Sequence, residues 1–316
     1  MTLLESLRSV ATASGDGAID WAAAARAAKA STDAGSLGVD AEERTGYARD
    51  VRDARDGIRA ATGLEFDLPG AIEVQSRHHW IDANVATFSE LLAPLEGRET
   101  ALPGVARRAN TATMAGLLAF TARHVLGQYD PLLLAEDEAP GLYFVRPNVL
   151  RTADELGVHA PRFRRWIAFH EVTHAAEFGA APWLAGELEG RAAEAVETLA
   201  DGRFDRSQIR ELDAVMTAVE GYAEFAMDRA FDGAYADVRR KVDDRRRNRG
   251  PVASLLARLL GLEGKRRQYE RGKAFFEAVA AEGGEERPAL VWADPVHLPT
   301  PGEIEAPERW LDRVVR

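Results

Sequence analysis

Residues 161–180 read PRFRRWIAFHEVTHAAEFGA, and this stretch predicts the central helix of the fold. It is largely apolar, has no proline after Pro161, and reaches a plausible C-terminal stop at Gly179. Two histidines, His170 and His174, lie four positions apart within it, with Glu171 between them. Residues i and i+4 share one face of an α-helix, about one turn apart. Both imidazoles can therefore face a single metal ion.

The spacing of these three residues is the HExxH pattern of zinc hydrolases. Neutral imidazoles hold zinc without cancelling its charge, and zinc lowers the pKa of a bound water to about 7. The glutamate accepts the proton of the attacking water and passes it to the leaving group. We therefore predict a Zn²⁺ cofactor bound by His170 and His174, with Glu171 as the catalytic base. The alternative is a pair of ordinary core histidines, but two imidazoles and a carboxylate are costly in an apolar helix.

The third metal ligand has to come from elsewhere, because a catalytic zinc takes three protein ligands and keeps one position open. The residues after His174 contain no histidine at the HExxHxxGxxH spacing. The stretch AVEGYAEFAMD, residues 218–228, offers Glu220 at the border of the apolar face of a predicted helix. Gly221 removes a side chain beside it, which would let another helix approach closely. Glu220 is our predicted ligand.

Glu224 lies one turn after Glu220. We predict that it accepts the outer N–H of a zinc-bound histidine and so fixes the tautomer of that ring. Glu224 and Glu177 remain alternative ligands. The competing interpretation of Glu220 and Glu224 is a pair of surface carboxylates at i and i+4, which repel each other mildly.

Hydrophobic periodicity predicts a mainly α protein with a small β-sheet. The predicted helices cover residues 41–62, 80–95, 101–127, 161–178, 185–200, 207–231, 235–247, 251–261 and 265–282. The two predicted strands are AIEVQSR (71–77) and GLYFVRPN (141–148). No long linker divides the chain, so we expect a single domain over residues 1–316. A subdivision into an N-terminal helical cover (1–140) and a metal-site region (141–316) is the alternative.

Composition limits the classes of function and partner. The 316-residue chain has a net charge of −11, which argues against a general nucleic-acid binder. The run RRKVDDRRRNRG, residues 239–250, contains no aromatic residue, so a solvated helix face is favoured over a nucleic-acid patch. The whole chain has no cysteine, no recognisable signal peptide and no long apolar run. We expect a cytoplasmic protein that binds a peptide or small-molecule substrate and no membrane; the oligomeric state stays open.

Several stretches together resemble a family of zincin-like metallohydrolases common in actinobacteria and haloarchaea. They are RHHWIDAN (77–84), VLGQYDP (125–131), LYFVRPNV (142–149), FHEVTHAAEFGAAPWL (169–184), EGYAEFAMD (220–228), KRRQYERGKAFF (265–276) and HLPTPGEIEAPERWLDR (297–313). One branch of that family is labelled as associated with biosynthesis of the deazaflavin coenzyme F-420, and haloarchaeal members are called zinc-dependent metalloproteases. The resemblance implies a mainly helical zincin-like fold with zinc at His170 and His174, and it implies no substrate.

The expected function is that of a zinc-dependent metallohydrolase acting on peptide bonds. Two alternatives remain. The first is a hydrolase of a small amide or ester linked to coenzyme metabolism, which a closed pocket would favour. The second is a non-catalytic helical scaffold in which zinc is structural, which a fourth protein ligand would favour.

Overall fold

The computed structural model describes residues 3–95, 103–130, 141–231, 233–247 and 264–315. The helices are α1 (Leu3–Ala11), α2 (Trp21–Ala30), α3 (Ala41–Thr62), α4 (Arg77–Leu91), α5 (Pro103–His124), α6 (Arg146–Glu155), α7 (Ala160–Ala180), α8 (Leu184–Ala200), α9 (Arg206–Phe231), α10 (Ala236–Arg247), α11 (Gly264–Gly283), α12 (Pro301–Glu305) and α13 (Pro307–Val314). Short 3₁₀ helices cover Ala93–Leu95, Arg287–Trp292 and Pro295–His297. The strands are β1 (Ala71–Gln75), β2 (Gly127–Asp130) and β3 (Gly141–Val145). The prediction of a mainly α fold with a small sheet is confirmed.

The three strands form one small sheet in the order β1-β3-β2. β1 pairs in parallel with β3, so that Ala71 lies opposite Gly141. β2 pairs antiparallel with β3, with Gly127 opposite Phe144, and forms an edge of the sheet. The central strand β3 is the most buried of the three. The sheet thus contains strands from both of the segments 1–140 and 141–316, and it places an edge strand next to α7.

Helix α7 lies in the middle of the larger hydrophobic core and is buried on most of its surface. It packs against α3 on one side and α9 on the other. Its apolar residues Phe163, Trp166, Ile167, Phe169 and Val172 are almost fully buried. The dense packing of these side chains fixes the orientation of α7, and therefore of its two histidines, relative to α9.

A second, smaller core lies among the N-terminal helices α2, α4 and α5. It is built from small residues of α2 and larger ones such as Trp80, Ile81 and Leu118, and it reaches the sheet at Val145. The alanine-rich sequence of α2 lets this helix pack closely on α5. The small core therefore attaches the N-terminal helices to the sheet that flanks α7.

The close approach of a helix at Gly221 is confirmed. A Cβ atom on Gly221 would lie 2.3 Å from the backbone of Gly272 in α11, and a Cβ on Gly272 would lie 2.1 Å from the carbonyl oxygen of Thr217 in α9. Such distances are far below van der Waals contact, so the two glycines permit α9 and α11 to cross backbone to backbone. This crossing supports the segment of α9 that carries Glu220.

The structure corrects several predicted element boundaries. The predicted strand 141–148 ends at Val145, because Pro147 belongs to the first turn of α6, where a missing N–H costs nothing. The predicted strand 71–77 ends at Gln75, and Ser76 caps α4, which begins at Arg77 rather than at residue 80. The predicted helix 101–127 ends at His124, before β2. Helices α1, α2 and α6 and strand β2 were not predicted, and the predicted helix 251–261 lies outside the described residues.

The C-terminal segment docks on the body of the protein as an amphipathic helix. In α13, Trp310 and Leu311 are buried, and the Trp310 Nε1–H donates a hydrogen bond to the carbonyl oxygen of His297 at 2.7 Å. No helix in the described ranges is long and apolar enough to cross a membrane.

Candidate metal centre

Helices α7 and α9 bring three potential metal ligands together at one point. The Nε2 atoms of His170 and His174 lie 3.3 Å apart, and Glu220 Oε2 lies 3.7 Å from the first and 3.9 Å from the second. A tetrahedral zinc with ligands at about 2.0–2.2 Å would separate its ligand atoms by about 3.3–3.5 Å. Among the described residues, these three form the one cluster with metal-binding geometry. The donor set of two imidazoles and one carboxylate fits zinc.

The orientation of His174 is set by Glu177, three residues further along α7. His174 Nδ1 lies 2.8 Å from Glu177 Oε2, and the Glu177 side chain is fully buried. Because a carboxylate accepts, this bond places the proton of a neutral ring on Nδ1 and the lone pair on Nε2, which faces the cluster. Glu177 thus contacts His174 in the way predicted for Glu224.

Burial and the charge of the partner shift the pKa values of His174 and Glu177 in opposite directions. Burial lowers the pKa of His174, but the carboxylates of Glu177, Glu220 and Glu171 outweigh it, and the pKa is raised. Burial also raises the pKa of Glu177 more than His174 lowers it. Glu177 Oε1 is buried and has no hydrogen-bond partner among the described residues, which strengthens that effect. In the absence of metal, the neighbouring carboxylates therefore favour the protonated form of His174, with Nδ1–H directed at Glu177. A metal at Nε2 would take the place of the second ring proton.

Glu171 lies beside the cluster and is held by strand β2. The Tyr129 N–H donates a hydrogen bond to Glu171 Oε2 at 3.1 Å, and the side chain is 6 % exposed. A Cβ atom on Gly127 would lie 2.6 Å from Glu171 Cγ, so only glycine leaves room for this carboxylate. Glu171 does not belong to the three-residue donor cluster. A carboxylate beside the metal ligands but outside their cluster has the position that a general base requires.

Glu224 lies against Arg239 of α10. Its Oε2 is 2.6 Å from an Arg239 guanidinium nitrogen, and only 1 % of the residue is exposed. Arg239 also pairs with Asp228, which in turn binds Lys273. The predicted solvated face of residues 239–250 therefore needs correction at this position, because Arg239 turns inward while Arg240 is exposed.

Three further histidines and a buried tyrosine make other contacts. His78 bonds the carbonyl oxygen of Thr32, His79 bonds Ser76, and His124 bonds the carbonyl oxygen of Phe120. Tyr222 is buried among aromatic rings, and burial raises the pKa of its phenol well above the usual range. None of these four residues belongs to the three-residue donor cluster.

A helix that presents HExxH and receives a glutamate from a later helix defines a metallohydrolase. The model of the zincin-like metallopeptidases matches residues 19–207 and 198–311, and the chain belongs to this family. A crystal structure from Chloroflexus aurantiacus, described as "a putative hydrolase with a novel fold", has a similar structure, with a TM-score of 0.77 and 31 % sequence identity. The similarity covers 94 % of this chain and 99 % of that one. A comparison with curated proteins finds no match.

Replacing Glu177 by alanine should weaken zinc binding by about 10–100-fold, because His174 would lose the partner that fixes its tautomer and ring orientation. Competition with a chromophoric chelator measures the zinc dissociation constant. Glu177→Gln should restore part of the affinity, since the amide oxygen still accepts from Nδ1–H. Glu194→Ala, an exposed change on α8, is the control. An unchanged dissociation constant for Glu177→Ala would refute the positioning role.

Proposed function

We propose that the protein is a zinc-dependent metallopeptidase in which His170, His174 and Glu220 bind the metal and Glu171 is the general base. The observation that carries this proposal is the triangle of donor atoms with sides of 3.3, 3.7 and 3.9 Å, next to a carboxylate held outside it. Three protein ligands leave a position for water, which is typical of catalytic rather than structural zinc. This supports an enzyme over a non-catalytic scaffold.

Zinc at this position would act as a Lewis acid that lowers the pKa of water and polarises the carbonyl group under attack. The other steps belong to residues of the chain. Glu171 accepts a proton from the attacking water and delivers it to the departing amine. The Tyr129 N–H limits the rotation of the Glu171 carboxylate, so the proton acceptor is oriented before the substrate arrives. Glu177 keeps the lone pair of His174 Nε2 directed at the cluster.

The location of β2 supports a peptide as the substrate. β2 is an edge strand, and the Tyr129 backbone contacts the proposed base directly. An extended peptide can add to a strand edge through main-chain hydrogen bonds that do not depend on its sequence. A peptide aligned along β2 would therefore pass next to Glu171. A small amide or ester has no extended main chain that could form such hydrogen bonds with the edge of β2.

Removal of the metal tests this proposal. The protein stripped with a chelator should lose all hydrolysis of a pooled library of internally quenched peptides, and one equivalent of zinc should restore it. Mass spectrometry of the products identifies the bonds that are cleaved. Cleavage that survives complete metal removal would refute the metal-dependent mechanism. A zinc-loaded protein that cleaves small amides or esters but no peptide would refute the peptidase assignment and leave the metal site intact.

A further inference from the structure

A pocket of about 410 Å³ lies on the same two helices as the metal ligands. Its walls are mainly apolar: Trp166 comes from α7, Met227 and Phe231 from α9, and Tyr235 and Ala236 from the start of α10. The volume is within the range of about 300–1,000 Å³ that is common for ligand sites. None of the three donor residues lines it, so the pocket is adjacent to the metal centre rather than part of it.

Trp166 connects this pocket to the metal centre. Its ring lies parallel to that of His170, with an interplanar angle of 5° and centroids 6.2 Å apart. On the other wall, Met227 follows Glu220 by seven residues, which corresponds to about 10 Å along α9. An extended peptide advances about 3.3–3.6 Å per residue. A substrate residue two or three positions from the reacting bond can therefore place its side chain in the pocket.

The charges at the rim of the pocket neutralise one another. Arg239 pairs with Glu224 and Asp228, and Asp228 also binds Lys273. The other charged residues of the rim, Arg240 and Asp243, are opposite in sign. No excess charge is left to attract an ionic group, whereas the aromatic walls favour burial of apolar surface.

We propose that this pocket binds a bulky apolar or aromatic side chain of the substrate and so determines sequence preference. The proposal rests on the proposed metallopeptidase function for the identity of the ligand, but the binding preference of the pocket can be measured without hydrolysis. Trp166 then has two roles, because it forms a wall of the pocket and supports the ring of His170.

The binding test uses two probes, N-acetyl-4-fluoro-phenylalanine amide and N-acetyl-3-fluoro-alanine amide, observed by ¹⁹F NMR with the zinc-loaded protein. The aromatic probe should bind at least tenfold more tightly than the alanine probe. Ala236→Trp fills the pocket from its exposed rim and should remove this difference while zinc content stays unchanged. Ala112→Trp, at an exposed position of α5 away from the pocket, is the matched control and should keep the difference. Equal binding of the two probes, or a preference that survives Ala236→Trp, would overturn the proposal.

The hydrolysis test uses peptides that differ only in having phenylalanine or alanine two or three residues from the cleaved bond. The ratio of their kcat/KM values should favour phenylalanine at least tenfold and should fall towards one in Ala236→Trp. Cleavage of both peptides at equal rates by the wild type would overturn the pocket assignment and leave the metallopeptidase proposal standing. Selective probe binding without any peptide hydrolysis would refute the metallopeptidase proposal and leave the binding preference of the pocket standing.

Discussion

Glu171→Gln should keep the metal and lose hydrolysis by at least a hundredfold in kcat. The amide has nearly the same shape as the carboxylate, and its oxygen can still accept the hydrogen bond from the Tyr129 N–H. It has no basic oxygen for the proton of the attacking water, and a positioned general base contributes about 10²–10⁴-fold to a rate. Zinc content by inductively coupled plasma mass spectrometry and initial rates on a responsive peptide measure the two effects separately.

The control for this variant is Glu197→Gln, the same chemical change at an exposed site on α8. It should match the wild type in zinc content, rate and thermal midpoint. A wild-type rate in Glu171→Gln would show that another group removes the proton. An equal loss in the variant and the control would show that the assay does not report on the chemistry of this site.

The assignment of the carboxylates shows how far the sequence can predict this site. The i, i+4 spacing of His170 and His174 determines their common face, and the structure brings both together with Glu220 in a cluster that could hold a metal ion. Three glutamates, at 177, 220 and 224, were consistent with the remaining roles. Their contacts depend on side-chain direction and on the neighbouring helix. Glu177 follows His174 by less than one turn and contacts its ring, whereas Glu224 pairs with Arg239 of α10. The local pattern of a single sequence does not show which side chain of a distant helix reaches a given carboxylate.

Strand β2 was missed for a related reason. The sequence GQYD is short, has no alternation of apolar and polar residues, and is half-buried along its length. Its pairing with β3 is what makes it a strand. Gly127 was the available signal, since a glycine within a strand often marks close approach of another group. Here the group is the side chain of Glu171. The sequence offered no means to identify which residue required that space.

Glu220→Ala should remove zinc from the protein, whereas Glu224→Ala should retain it. Glu220 Oε2 completes the donor triangle, and the loss of one of three ligands costs roughly 3 kcal/mol, more than a hundredfold in affinity. Glu224 has another partner in Arg239, so its removal should change the zinc dissociation constant only a few-fold. It should lower the free energy of unfolding by about 1–3 kcal/mol, because Arg239 loses a buried charged partner.

Two measurements on each variant separate these effects. Chelator competition gives the zinc affinity, and urea unfolding of the metal-free protein gives the stability without the metal contribution. Glu220→Ala should weaken zinc binding and change the stability of the metal-free protein little, because without metal Glu220 repels Glu177 as well as attracting His174. Glu224→Ala should show the reverse pattern. Full retention of zinc by Glu220→Ala would refute the ligand assignment. If Glu224→Ala lost the metal instead, Glu224 would be the third ligand, and α9 would have to rotate relative to α7 when zinc binds.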